Sequence, residues 1–131
     1  TFTFKLKVYY EDTDAGGVVY YANYLKFMER ARSDALESLG FTNKKLRDEN
    51  GIYIIVKSCN INYIKSAFLE DILEIKSTIK EITKTSFFMT QKVFKCSEQM
   101  TEAEIHLVII DKKAKPVKIP ESLNDELKKL V

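Results

Sequence analysis

Residues 2–39 read FTFKLKVYYEDTDAGGVVYYANYLKFMERARSDALESL, and their hydrophobic period changes once. Phe2, Phe4, Leu6, Val8 and Tyr10 alternate with Thr3, Lys5 and Lys7, which is the pattern of a half-buried strand. Glu11-Asp12-Thr13-Asp14-Ala15-Gly16-Gly17 then forms a turn rich in acids and glycine. After Val18-Val19-Tyr20-Tyr21 the period becomes helical. Leu25, Met28, Arg32, Ala35 or Leu36, and Leu39 recur on one face, with Gly40 at the C′ position. The stretch predicts a strand, an acidic turn and one long helix over about 21–39.

Outward from that helix the β signal dominates. Thr42 can cap a short helix, NKKLRDEN, which Gly51 ends. Residues 52–64 are apolar and rich in β-branched side chains. In 71–82, Leu73, Ile75 and Ile79 oppose Glu74, Lys76, Thr78 and Lys80. The run 85–96 is apolar on both faces, and 103–110 places Ile105, Leu107 and Ile109 together. Residues 111–115 read as a turn, Val117 as a short strand, and Pro120 as the opening of a C-terminal helix through Leu130. Strand, long helix, then four or five strands is an α+β order with a largely antiparallel sheet. The two-sided apolar run predicts that a second subunit covers part of the sheet.

With 131 residues and no linker, repeat or low-complexity segment, the chain reads as one domain, 1–131. Its compact radius of gyration would be roughly 14 Å. Lys and Arg outnumber Asp and Glu by a net charge of +2, too small a bias for a duplex nucleic-acid binder. No 18 apolar residues run together, so no membrane span is expected. The alternating N-terminus does not look like a signal peptide. It begins at Thr1 rather than Met, which leaves trimming open. Cys59 and Cys96 stand far apart. A disulfide between them is open, but two buried, inert thiols in a reducing cytoplasm are the expected state. One His and no CxxC argue against structural zinc, so neither a metal nor a cofactor is expected.

Several residues could carry chemistry. His106 falls on a strand face beside Glu104 and reads as solvent-facing; with no GxSxG elbow, a serine triad is disfavoured. Asp12 and Asp14 are more suggestive. They alternate at a strand end, just ahead of two glycines and the long helix. A carboxylate there lies beside backbone N–H groups that lack helical partners and can hold a developing oxyanion. Those are the minimal parts of an acyl-transfer site. The same two acids equally fit a turn or helix cap, which composition alone favours. A metal site on Asp-x-Asp lacks further ligands.

Tyr10-Glu11-Asp12-Thr13-Asp14-Ala15-Gly16-Gly17-Val18-Val19-Tyr20-Tyr21-Ala22-Asn23-Tyr24, followed by Phe27-Met28-Glu29-Arg30-Ala31-Arg32, closely resembles the signature of 4-hydroxybenzoyl-CoA thioesterase-like proteins. The nearest branch is the YbgC type of acyl-CoA thioesterase, associated with the Tol-Pal system. Tyr63-Ile64-Lys65-Ser66-Ala67 and Asp71-Ile72-Leu73 extend the match. The resemblance implies a hotdog fold, a curled antiparallel sheet around the long helix. It also implies dimers made by joining sheets, often paired into homotetramers, with active sites at the subunit interface.

The resemblance further implies that Asp14 is the catalytic acid, as nucleophile or general base. The backbone N–H of Tyr21 would polarise the thioester carbonyl, with Gly17 and Val18 forming the approach. Asn23 and Tyr24 would support the site. Tyr21 stands where many YbgC-type members have His, and Ser66 where the family often has Pro. Because the proposed role at position 21 belongs to the backbone, the first change bears on acyl preference rather than on catalysis. Candidates for the CoA moiety are Lys65, Thr85 and Ser86, then Lys84 and the basic run Lys112, Lys113, Lys115 and Lys118. Each lysine also fits a solvated surface.

Glu29, about 12 Å along the helix from Tyr21, reads as an ion-pair partner of an Arg rather than a catalyst. The competing functional reading is a non-catalytic module that binds acyl-CoA or an acyl carrier protein. A hydratase lacks its His in the needed context.

Overall fold

A computed structural model describes the chain from Thr1 to Val131. Five strands, β1 (Phe2–Lys7), β2 (Tyr53–Tyr63), β3 (Ile72–Ile82), β4 (Ser86–Lys95) and β5 (Glu98–Ile110), form one antiparallel sheet in the order β1-β3-β4-β5-β2. The helix α1 (Asn23–Ser38) lies on one face. Tyr24, Phe27, Met28, Ala31, Ala35 and Leu36 are its buried residues, the three-and-four spacing that a core-facing stripe requires. They meet inward residues of the central strands, among them Leu73, Ile75, Met89, Val93, Ile105 and Leu107, in one continuous core. This is the predicted α+β hotdog arrangement.

The two sheet edges differ. β1 is six residues long and carries Lys5 and Lys7, a short, charged edge of the kind that resists further pairing. β2 is eleven residues long and pairs only with β5. Its register shifts between Val56 and Ser58. That bulge at Lys57 keeps Val56, Cys59, Ile61 and Tyr63 opposite the inward residues Leu107, Ile105, Ala103 and Thr101.

Several expectations are corrected. β1 ends at Lys7, and Tyr10 is 81% exposed rather than inward. The reason is a 3₁₀ turn, Tyr10–Asp12, closed by Asp12 Oδ2 accepting the Tyr9 N–H at 2.9 Å. Neither cysteine is buried: Cys59 and Cys96 are free and exposed. Cys59 sits on the open β2 edge, and Cys96 takes φ 56° in the β4–β5 turn. His106 is half-buried, stacked on Phe88 with ring centroids 4.0 Å apart. Lys76 lies over the ring of Phe94. The chain itself therefore covers part of the outer aromatic face.

The long helix begins at Asn23, two residues later than expected. The Thr42 cap is present, accepting from the Lys45 N–H. It opens α2 (Asn43–Lys45), which continues as a π turn to Asn50 and stops at left-handed Gly51. Val117 donates to Ile109 O but belongs to no strand. After Pro120, α3 spans Glu121–Leu127 and passes into a 3₁₀ turn, Lys128–Leu130.

Candidate active site

The acidic turn is a tight ribbon. The Asp14 N–H donates to Val18 O and the Gly17 N–H to Asp14 O, while Thr13 bridges Val19. The ribbon is pinned from outside by Val19 N–H to Ala67 O and Leu69 N–H to Gly17 O. Gly17 has φ 79°, which a side chain would strain. At Gly16 a Cβ would come within 3.3 Å of Asp14 Oδ1.

The two acids now separate. Asp12 is buried. Its carboxylate holds the 3₁₀ turn, and its carbonyl accepts from the Tyr20 N–H and from Asn23 Nδ2 at 2.8 Å. It is a structural fastener between the turn and α1. Asp14 is exposed, and only its Oδ1 is engaged, by the Gly16 N–H at 2.8 Å. Its Oδ2 is open.

Beyond the ribbon, the first helical N–H groups are used locally. Asn23, Tyr24 and Leu25 donate to Tyr20, Tyr21 and Ala22 carbonyls. The N–H groups of Val18, Tyr21 and Ala22 donate to nothing in the chain. Tyr21 is held by Tyr63, whose hydroxyl donates to Tyr21 O at 3.1 Å and whose ring meets the Tyr21 ring edge-on. Tyr24, buried below, accepts from the Ala67 N–H. Burial pushes the phenols of Tyr24 and Tyr63 up from their usual range, so both remain neutral donors or acceptors. One loop thus carries a free carboxylate oxygen and open backbone donors, ringed by exposed Tyr20, Tyr21, Tyr63, Ile64 and Phe68.

The CoA candidates are split. Lys65 lies near this corner, since its N–H donates to Met100 O, and its Nζ pairs with Glu98 at 2.9 Å. Thr85 and Ser86 lie at the other end of the sheet. Ser86 pairs with Val108, whereas Tyr63 pairs with Thr101, roughly 24 Å away along β5 at the usual rise. Ser86 is buried, with its hydroxyl bonded to Thr83; the Thr85 carbonyl accepts from the Ile109 N–H. Within one chain, neither approaches Asp14. The basic run is exposed around a turn in which Asp111 accepts from the Lys113 and Lys115 N–H groups.

A cavity of about 170 Å³ lies beneath the C-terminal half of α1. Its body is apolar, with Ala35, Leu36, Ile79, Phe87, Met89 and Leu107 among its walls. Glu29, Arg32, Ser33 and Asn43 make its polar side, and Ile54 and Val56 of β2 line it at the open sheet edge. Glu29 forms no ion pair with an Arg, contrary to expectation; its carboxylate accepts from Ser33 Oγ at 2.8 Å, one turn on. This cavity and the polar network behind it were not anticipated. Their signal was nevertheless present: Ser77 and Gln91 interrupt otherwise apolar inward faces.

A curled antiparallel sheet packed around one long helix is the hotdog architecture of the thioesterase class. The chain belongs to the thioesterase-like superfamily, whose model matches residues 8–127. It is 37% identical over 123 residues to the acyl-CoA thioesterase YbgC of Haemophilus influenzae, covering 93% of this chain and 90% of that one. It is 39% identical over 129 residues to the acyl-CoA thioester hydrolase YbgC of Escherichia coli O6:H1, covering 97% and 96%. Among solved structures, a probable thioesterase from Bartonella henselae superposes with a TM-score of 0.87 at 34% identity, over 90% of this chain and 98% of that one.

Proposed function

We propose that the chain hydrolyses acyl-CoA thioesters to a free acid and CoA, with Asp14 as the catalytic carboxylate, nucleophile or general base, and the Tyr21 N–H as the oxyanion donor. The observation that carries the reading is the open Asp14 Oδ2 on the same pinned loop as the unpartnered Tyr21 N–H. Gly17 and Val18 shape the approach, and Asp12 holds the loop. As general base, Asp14 takes a proton from water while the resulting hydroxide adds to the carbonyl carbon. The oxyanion gathers on the Tyr21 N–H, and collapse expels the CoA thiolate. As nucleophile, Asp14 adds directly, the thiolate leaves, and water cleaves the mixed anhydride. A thiolate is a good leaving group, so neither route needs a histidine acid. Single turnover in ¹⁸O water separates them: label entering Asp14 requires the covalent route.

The acyl group belongs in the cavity under α1, but that cavity is at the other end of the helix. Arg32 lies about 14 Å along the axis from Asn23. A second chain resolves the separation. Antiparallel joining of two β2 edges about a dyad sets the Tyr63 end of one strand beside the Ile54–Val56 end of the other. The Asp14 corner of one chain then faces the cavity of its partner. The long, unprotected β2 edge supports this dimer, and pairing of dimers into tetramers would bring further chains to the CoA moiety. Lys65, Thr85 and Ser86, distant within one chain, would then act on it from different chains. The free, exposed cysteines suit a reducing cytoplasm.

The test is thiol release from short, long and aromatic acyl-CoAs by wild type and Asp14→Asn side by side. Release by wild type alone is expected. Binding without release by either protein would replace this reading with that of an acyl-CoA or acyl carrier protein binding module.

A further inference from the structure

The polar end of the cavity holds a charge that the chain does not neutralise. Arg32 Nη1 donates to Gln91 Oε1 at 2.9 Å. Gln91 is 0% exposed, and its Nε2 donates to Met28 O at 3.0 Å and to Ser77 Oγ at 2.9 Å. With both amide donors committed, the Gln91 oxygen can only face Arg32, so the guanidinium is held in one place. A guanidinium has five N–H donors, and this one uses a single donor within the chain. No carboxylate lies within ion-pair distance of it; nearby Glu29 is engaged by Ser33. Burial pushes the Arg32 pKa down, against the pull of Glu29 and Cys59, yet a guanidinium stays charged throughout the neutral range.

We propose that this cavity takes an acyl group bearing an oxygen beyond its thioester carbonyl, and that Arg32 recognises that oxygen. The assignment rests on the thioesterase reading above and names its substrate class. Size sets the first limit: a comparable apolar cavity of about 150 Å³ in another protein holds one benzene, so the part of the acyl group seated between this chain's walls beside Arg32 is short. Chemistry sets the second. A purely apolar acyl tail would bury the remaining Arg32 donors without acceptors, and a site built to bond an oxygen rejects the analogue that lacks it. A carboxylate or a hydroxyl supplies the missing acceptor. Glu29 on the same side of the cavity opposes a carboxylate more than a hydroxyl, so the two sources must be compared.

The experiment measures kcat/KM for pentanoyl-, 5-hydroxypentanoyl- and glutaryl-CoA, which share one chain length, with wild type, Arg32→Met and Arg32→Lys. Wild type should prefer at least one oxygenated substrate over pentanoyl-CoA by about tenfold or more, as a bond to a charged donor warrants. The better of the two identifies the source. Arg32→Met should bring the ratio to about one, and Arg32→Lys should retain part of it. The ratio is internal to each variant, so a folding defect that lowers all rates leaves it unchanged. Equal or better use of pentanoyl-CoA by wild type would overturn the proposal, as would an unchanged ratio in Arg32→Met. Uniform loss on all three substrates with dissociation of the oligomer would assign Arg32 to a subunit contact instead. Calorimetric binding of the same thioesters to Asp14→Asn separates the two levels. Selective binding without hydrolysis in wild type removes the thioesterase reading alone; hydrolysis without selectivity removes the Arg32 assignment alone.

Discussion

The two ends of α1 differ in their surroundings. At its start the loop is polar and open, with Asp14 exposed and the Tyr21 and Ala22 N–H groups without acceptors in the chain. Along its second half the same helix covers an apolar cavity with an anchored guanidinium at one side. On the proposed reading neither end makes an enzyme alone: the first would supply donors and a carboxylate, the second the place for the acyl group. Helix length keeps them apart in one chain, and the free β2 edge offers the means of joining them between chains.

The comparison is broken most severely at Asp14. Asp14→Asn should lower kcat by about 10²–10⁴-fold, the usual contribution of a positioned acid or base, with the melting temperature little changed, as steady-state kinetics and calorimetry would show. Asp12→Ala should do the reverse. Loss of its bond to the Tyr9 N–H should cost about 1–2 kcal/mol of stability in urea titration, while turnover per folded molecule largely survives. If Asp12 proves the more catalytic of the two, the separation drawn at the helix start is wrong.

At the other end, Ala35→Leu places extra methyl groups in the cavity wall and should raise KM by roughly ten- to a hundredfold, with the bulkiest acyl groups lost first. A substrate panel would reveal that order. The link between the ends is tested at Cys59, on the open edge. Cys59→Lys adds an edge charge beside Arg32 and should shift the oligomer toward monomer in light scattering, with activity falling in parallel. The smallest effect expected is in chemical labelling. Cys96, in the β4–β5 turn, should alkylate readily in the assembled protein. Cys59 should lag behind it, both because joined edges shield it and because desolvation pushes its thiol up despite its exposure in one chain.

Much of this was readable in residues 2–39. Alternation through Phe2, Phe4 and Leu6, the glycines at the turn and the three-and-four stripe on α1 are local signals, and they survive in the fold. The Asp-x-Asp pattern and its helix were likewise local. What escaped depended on contacts distant in sequence. Tyr10 continues the alternation, but Asp12 turns the chain away before it. Cys59 has an inward position in its strand, yet the sheet ends there. His106 looked solvated because nothing local announces that Phe88 lies opposite it in register. The Arg32–Gln91–Ser77 network joins a helix to two strands, so its members read separately as an amphipathic helix residue and two polar breaks. Two polar residues on apolar strand faces were the clue to it.

The most direct test of the central claim is complementation between two inactive chains. Asp14→Asn retains the cavity, and Ala35→Phe, which fills it, retains the acid; both must first be shown folded and oligomeric. Each homo-oligomer should be nearly inactive. Coexpressed at equal amounts, random pairing should restore about a quarter of wild-type turnover, because half the dimers are mixed and each carries one intact site. Recovery of that order would mean that acid and cavity come from different chains. No recovery, with mixed dimers demonstrated, would mean that each chain completes its own site, and the account of α1 as two half-sites would fail.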